Sequence, residues 1–265
     1  MFAVERINIV KSYLRERGRL DVHSMSEMLG VSEVTVRRDL EKLEAEGFLT
    51  RMHGGAILNV DREAVEISGG FSEEERKADA DRDEIARIAL LMIEDGDVIM
   101  LANGPIARRI ARSLAERGSV TVLTNDIDAA LEVSAQAGNR AVLLGGNPDP
   151  EERALFGSLA QANIQKFFVS KLFIEADGVS EQLQLTVSSQ EKAALIKEAL
   201  ACAEQKIVLC EASRYGRNSF YRLGALGVET KVITSTSASE AFKSRTFEAG
   251  IQLYTSVNAF EGGSE

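Results

Sequence analysis

Histidine and cysteine are scarce in this 265-residue chain, with two of each. Both histidines, His23 and His53, lie near the amino terminus, so the remaining sequence has no imidazole for acid–base or metal chemistry. Cys202 and Cys210 have no His or Cys at metal-ligand spacing and sit in apolar surroundings, which excludes a Cys/His metal centre and points to buried free thiols. No apolar run approaches the roughly 18 residues of a membrane-spanning helix. Met1 to Arg6 lacks the basic and then apolar segments of a signal peptide, so a cytoplasmic location is expected. Internal repeats and low-complexity stretches are absent too.

What is present is enough apolar material, 45% of residues, for one small and one larger folded domain. The net charge of −10 is unevenly placed. Residues 1–60 hold nine basic and nine acidic side chains, against 22 and 32 in the remainder. Within that neutral head, Arg15, Arg17, Arg19, Arg37, Arg38 and Arg51 allow a local positive face on an acidic protein. DNA affinity of such a head is salt-sensitive.

The segment from Ser24 to Leu58 carries the strongest pattern. Gly30 is suited to the left-handed conformation that ends one helix, and Ser32 to capping the next. From there Val36, Leu40 and Leu43 recur at helical spacing as one apolar stripe, with Glu33, Thr35, Arg37 and Arg38 on other faces. A recognition helix needs that arrangement, because hydroxyl and guanidinium groups in its first turns reach bases or phosphates in the major groove. Leu49 to Leu58 reads as a wing, two short strands around Met52-His53-Gly54-Gly55 with Arg51 and His53 flanking the turn. The DNA-contact candidates are therefore Ser32, Glu33, Thr35, Arg37, Arg38, Arg51, His53 and Gly54. An ordinary helical hairpin with solvated arginines is the bland alternative, and the wing beside it argues against that.

Glu5 to Leu58, including Gly30 to Leu40 and Met52 to Ala56, resembles the head of DeoR-family bacterial transcription regulators. The resemblance implies a winged helix-turn-helix domain, a sugar-phosphate-sensing domain behind it, and repression of a carbohydrate-metabolism operon.

Beyond the head, apolar runs alternate with helical patterns. Strands are expected at 97–101, 120–124, 140–144, 171–175, 206–210 and 231–234, and helices at 106–117, 126–137, 190–204 and 238–249. The fold class is α/β, a small winged head plus a larger domain with a mainly parallel sheet. The resemblance adds similarity to ribose-5-phosphate isomerase-like folds. The expected organisation is a head at residues 1–58, a linker at 59–75, an effector-sensing and oligomerisation domain at 76–257, and a tail at 258–265. A ligand of such a sheet binds in the loops past the carboxyl ends of its strands. Helix amino termini there attract phosphate.

The effector-site candidates are Asn103, Gly104, Thr124, Asn125, Lys171, Asp177, Thr186, Lys197 and Arg214, with Arg108 and Arg109 as neighbouring cations. Four segments depart from the family pattern, one being Ala212-Ser213-Arg214 in place of Ser-Ser-Lys. Ala102-Asn103-Gly104-Pro105-Ile106 lacks the two hydroxyls of the family's phosphate loop, and Pro105 has no amide donor. Ser170-Lys171 stands in place of Asp-Lys. Glu175 stands where the family has glycine, placing a carboxylate that would repel a phosphate.

Three readings stay open from sequence. One is a repressor released by a phosphorylated effector. Another is a regulator whose larger domain has lost or changed its ligand and mainly oligomerises. The last is a sugar-phosphate isomerase-like enzyme using Asp177, Glu175 or Lys171, which fold analogy alone supports weakly. The first is adopted. The partners are double-stranded operator DNA and at least one further copy of the chain, because one head contacts few base pairs. No catalytic residue, metal, cofactor or membrane partner is assigned.

Overall fold

The computed structural model describes residues 3–17, 19–45, 48–52, 54–58 and 73–255. His53, the side chains of Arg15, Arg17 and Arg19, the joining segment 59–72 and residues 256–265 lie outside these. The chain forms two compact units, residues 1–71 and 72–265.

In the first unit, helix α1 (Ala3–Arg17) leads into a short strand β1 (Arg19–Asp21). Asp21 caps helix α2 (Val22–Leu29) by accepting the Ser24 amide at 2.9 Å. Gly30, at φ 63°, ends α2 in the left-handed conformation expected of it. Ser32 then accepts the Thr35 amide at the start of helix α3 (Glu33–Ala45). Val36, Leu40 and Leu43 are buried together against Val10, Leu14, Met25 and Leu29. Strands β2 (Leu49–Met52) and β3 (Gly55–Leu58) form the wing hairpin. The sequence pattern gave two strands; β1 adds a third, pairing with β3, because Gly55 lets the backbones approach where a Cβ would strike the Leu20 carbonyl. A buried ion pair of Arg6 with Asp39 at 2.9 Å ties α1 to α3.

Leu40, 1% exposed, sits at the centre of this small core. Leu40→Ala is expected to cost about 3 kcal/mol, a large share of what a head this size has to lose. Thermal unfolding followed by circular dichroism should show an early transition moved down while the larger unit's transition stays in place.

The second unit opens with helix α4 (Glu73–Leu91). Its sheet contains β4 (Val98–Leu101), β5 (Thr121–Thr124), β6 (Arg140–Leu143), β9 (Val169–Glu175), β12 (Ala203–Leu209), β14 (Thr230–Ile233) and β15 (Gln252–Tyr254). These seven strands lie in the order β15-β14-β12-β9-β4-β5-β6, every neighbouring pair parallel. Alternation along each strand feeds two cores. Ile99, Leu101, Phe173 and Ile207 face α4, α5 (Pro105–Ser113) and α6 (Ile127–Ser134). Met100, Leu172, Ile174 and Val208 face α7 (Ser158–Ile164), α8 (Gln190–Ala201) and α9 (Glu240–Glu248). Helix α8 ends at Ala201 rather than at 204, since β12 begins at Ala203.

Shorter pieces were not legible as alternating elements. The hairpin β7 (Asn147–Asp149) with β8 (Ala154–Phe156), and a small antiparallel sheet of β10 (Gly178–Val179), β11 (Gln184–Val187) and β13 (Tyr221–Ala225), lie beyond the main strands in the chain's path. No helix among the described residues is long and apolar enough to cross a membrane. Cys210 is buried, which pushes its thiol up to about 12, while Cys202 is half-buried.

Candidate functional site

Helix α3 presents its first turns on the side away from the apolar stripe. The Ser32 and Thr35 hydroxyls are within 2.9 Å of each other. Of the helix's two arginines, Arg37 is held by Glu33 at 2.8 Å, whereas Arg38 is exposed with no ion-pair partner among the described residues. In the wing, Arg51 is clasped by Glu44 at 2.6 Å and Glu41 at 2.9 Å. Gly54 takes a positive φ of 85° at the exposed turn. His23 hydrogen-bonds Glu33 across 3.2 Å, which holds its imidazolium form to higher pH than usual. Among the described arginines of α3 and the wing, Arg38 is the unencumbered one, with Arg37 and Arg51 already committed to carboxylates.

In the larger unit, polar residues gather at the carboxyl ends of the parallel strands. After β4 the Asn103 amide donates to the Asn125 side-chain carbonyl at 3.0 Å, and Asn125 returns a bond to the Asn103 side chain at 3.2 Å. Asn103 also donates to Glu152, from the β7–β8 hairpin, at 2.8 Å. Asp126, fully buried, accepts from the Gly104 and Ala129 amides and from Arg108 at 2.9 Å. Burial raises the Asp126 carboxyl above its ordinary range, and those donors offset only part of the rise. Thr124 is wholly buried and spends its hydroxyl on the Asp126 amide.

The end of β9 supplies two more carboxylates. Asp177 accepts from Ser188 and from the Lys192 ammonium at 3.0 Å. Burial works to raise Asp177, but the Lys192 charge and hydrogen bond outweigh it and hold the carboxyl below its usual range. Glu175, 6% exposed, reaches to α5 and accepts the Ala107 amide at 2.7 Å. Its carboxyl is raised to about 7, mainly by burial and further by Glu211, with the Ala107 and Ile106 amides and Lys192 opposing. Gly104 is obligatory beside it: a Cβ there would overlap the Glu175 carboxylate, and φ is 156°. Glu211 in turn is bound by Arg82 of α4 at 3.0 Å, with Arg214 at 3.7 Å.

Asn103, Gly104, Thr124, Asn125, Asp177 and Arg214 thus lie at or just past the carboxyl ends of the parallel strands. Lys171 is not brought there. It lies near the start of β9 and pairs with Asp97, ahead of β4, toward the amino ends of these strands, where that pair holds Asp97 below its usual range despite burial. Thr186 is consumed structurally, donating to the Gly178 carbonyl and accepting the Ser219 amide. Lys197 is exposed on α8, five residues beyond Lys192. The buried lysine of this site is Lys192, which the sequence reading passed over. Its signal was Ser189, the cap of α8, which puts Lys192 in the helix's first turn and near the strand ends. Glu152, Asp126 and Glu211 were missed as partners. Arg109 is bound by Asp79 and Asp83 of α4.

Residues 77–236 match the family described as the DeoR C-terminal sensor domain, and residues 6–62 match the DeoR-like helix-turn-helix domain. The chain belongs to the DeoR family. It is 29% identical over 253 residues to the HTH-type transcriptional repressor GlcR of Bacillus subtilis, covering 96% of each chain. It is 32% identical over 232 residues to the lactose phosphotransferase system repressor of Streptococcus mutans, covering 87% of this chain and 91% of that one. Among solved structures, ribose 5-phosphate isomerase A of Methanocaldococcus jannaschii aligns over 51% of this chain and 53% of its own, at 21% identity and a TM-score of 0.38.

Proposed function

We propose that this DeoR-family chain is a sequence-specific DNA-binding repressor of a carbohydrate-metabolism operon, acting from the cytoplasm. Residues 1–58 form the DNA-binding unit and residues 76–257 sense a small phosphorylated effector and hold copies together as a dimer or larger assembly. The observation that carries the reading is the start of α3: Ser32 at its cap and Arg38 stand exposed, with Thr35 half-buried between them, beside a wing and on a head neutral overall in charge. The names of the relatives agree with it, since GlcR and the lactose system protein are both called repressors.

Repression fits a two-state account in which the effector binds one arrangement of the sensor unit better than another and so alters how paired heads meet DNA. An isomerase-like reading has less behind it, because Lys171, one of its three acid–base candidates, is engaged by Asp97 toward the amino ends of the strands.

Gel shift on the DNA upstream of the chain's own gene, with sugars and sugar phosphates as competitors, tests the reading directly. Arg38→Ala is expected to weaken operator binding by about 1–3 kcal/mol, roughly 5- to 150-fold, with unchanged unfolding, because its side chain lies off the apolar stripe. Operator binding that ignores this substitution at moderate salt would remove α3 from the interface.

A further inference from the structure

Helix α3 buries Val36, Asp39, Leu40 and Leu43, and the turn of about 100° per residue sets which positions point the other way. Val34 falls nearly opposite that buried stripe, in the first turn, with Arg38 one turn further on the same outward side. It is 59% exposed, and it is the one large apolar side chain that α3 turns outward. A single exposed valine is ordinary on a protein surface. Its place here is not, because the free head gains nothing from it. A β-branched side chain lowers helix propensity, and Val34 is no part of the head's buried core. Its surroundings are polar or charged: Ser32 and Arg38 stand exposed, and Arg37 is paired with Glu33 at 2.8 Å.

We propose that Val34 is a specificity residue of the DNA-binding head and that it packs on the C5-methyl group of a thymine in the operator. The inference rests on the DNA-binding reading of α3 and adds to it the base that this position selects. Base edges in the major groove present hydrogen-bonding groups and one apolar feature, the thymine methyl. Valine neither donates nor accepts, so against any other base it would cover a polar edge and leave it without water or partner. Against thymine it takes a methyl group out of water. A cation at Arg38 strengthens binding whether it meets a base or a phosphate. Val34 brings discrimination and no charge, so its effect falls on base preference and leaves the salt dependence alone.

Deoxyuridine is thymidine without that methyl and keeps its base pairing, so replacing thymines one at a time in the gel-shift fragment isolates the contact. Binding of the unmodified fragment is decided by the gel shift already described, so failure of the repressor reading is seen first and separately. Wild-type full-length protein is expected to lose about fourfold in affinity at one thymine facing each head, the worth of about one methyl group taken from water. Val34→Ala removes the contact at an exposed position and puts a better helix former there, so the head stays folded, which circular dichroism checks. This variant should bind the unmodified fragment about fourfold more weakly for each head engaged, with the same slope against salt. It should show no further loss when that thymine becomes deoxyuridine, which closes a double-mutant cycle on one methyl group. In wild type, a cytosine–guanine pair at that place should cost more than deoxyuridine, and 5-methylcytosine should recover about fourfold of the loss. Wild-type affinity untouched by deoxyuridine at every thymine of the fragment, or the same loss in Val34→Ala as in wild type, would overturn the proposal.

Discussion

Lys192→Ala is expected to destabilise the sensor unit by about 3–5 kcal/mol, the cost of removing one partner from a buried ion pair. Lys192 is 4% exposed, and its ammonium lies 3.0 Å from Asp177. Its loss strands a carboxylate that is largely out of water, with Ser188 as remaining donor. It also removes the one cationic side chain opposing the rise of Glu175. The sign with pH follows from Asp177, whose folded carboxyl is held below its unfolded value. Such a group stabilises the fold above its unfolded value of about 4 and loses that contribution as pH falls through the folded value. The gap between wild type and Lys192→Ala should therefore be full at neutral pH and narrow in acid. Urea unfolding of the full chain reads it, with the head's transition as an internal control. A neutral-pH gap below about 1 kcal/mol would place Lys192 among solvated surface pairs instead.

The head was legible because its signals are local. A glycine at a helix end, a serine cap two residues on and an apolar stripe at helical spacing each act within one or two turns, and Gly30, Ser32 and Leu40 all appear where those rules put them. The parallel sheet was legible for a related reason, since strands buried on both faces leave continuous apolar runs such as Leu172 to Ile174. What failed to show was partnership across the chain. Arg51 reads as a free wing cation until Glu41 and Glu44 are seen beside it. Lys171 is a site candidate through its match to the lysine of the family's Asp-Lys segment. However, β9 is seven residues long, so a lysine at its third position points to the wrong end of the sheet. Lys197 is exposed on α8 while Lys192 is buried and pairs with Asp177, a difference of helix phase and depth that depends on where α8 starts. Glu175 shows the mixture most clearly. Its presence in place of glycine was readable as a repulsive charge, but its bond to Ala107, 68 positions back along the chain, was not.

That bond leads to the other large effect. Glu175→Gln is expected to stabilise the sensor unit at about pH 8 by on the order of 3 kcal/mol, and to change little below about pH 4.5. A carboxyl raised from 4.5 to about 7 by burial keeps its proton in the folded state where the unfolded chain has released it. Its stabilising contribution is complete below the unfolded value and declines as pH rises, being lost once pH passes about 7. Glutamine does not ionise and leaves no buried charge at any pH, while its side-chain carbonyl still accepts from Ala107. The difference should open between these two values and stay level above them, a shape that separates it from general charge effects, which change gradually. Urea midpoints taken across that range would show it, and parallel lines for the two proteins would mean that Glu175 is ionised without penalty. The sign carries a functional consequence. An α5 amino terminus that holds Glu175 ionised above about pH 7 does so at a cost in stability, so any further anion brought to that helix end meets more opposition at high pH than at low.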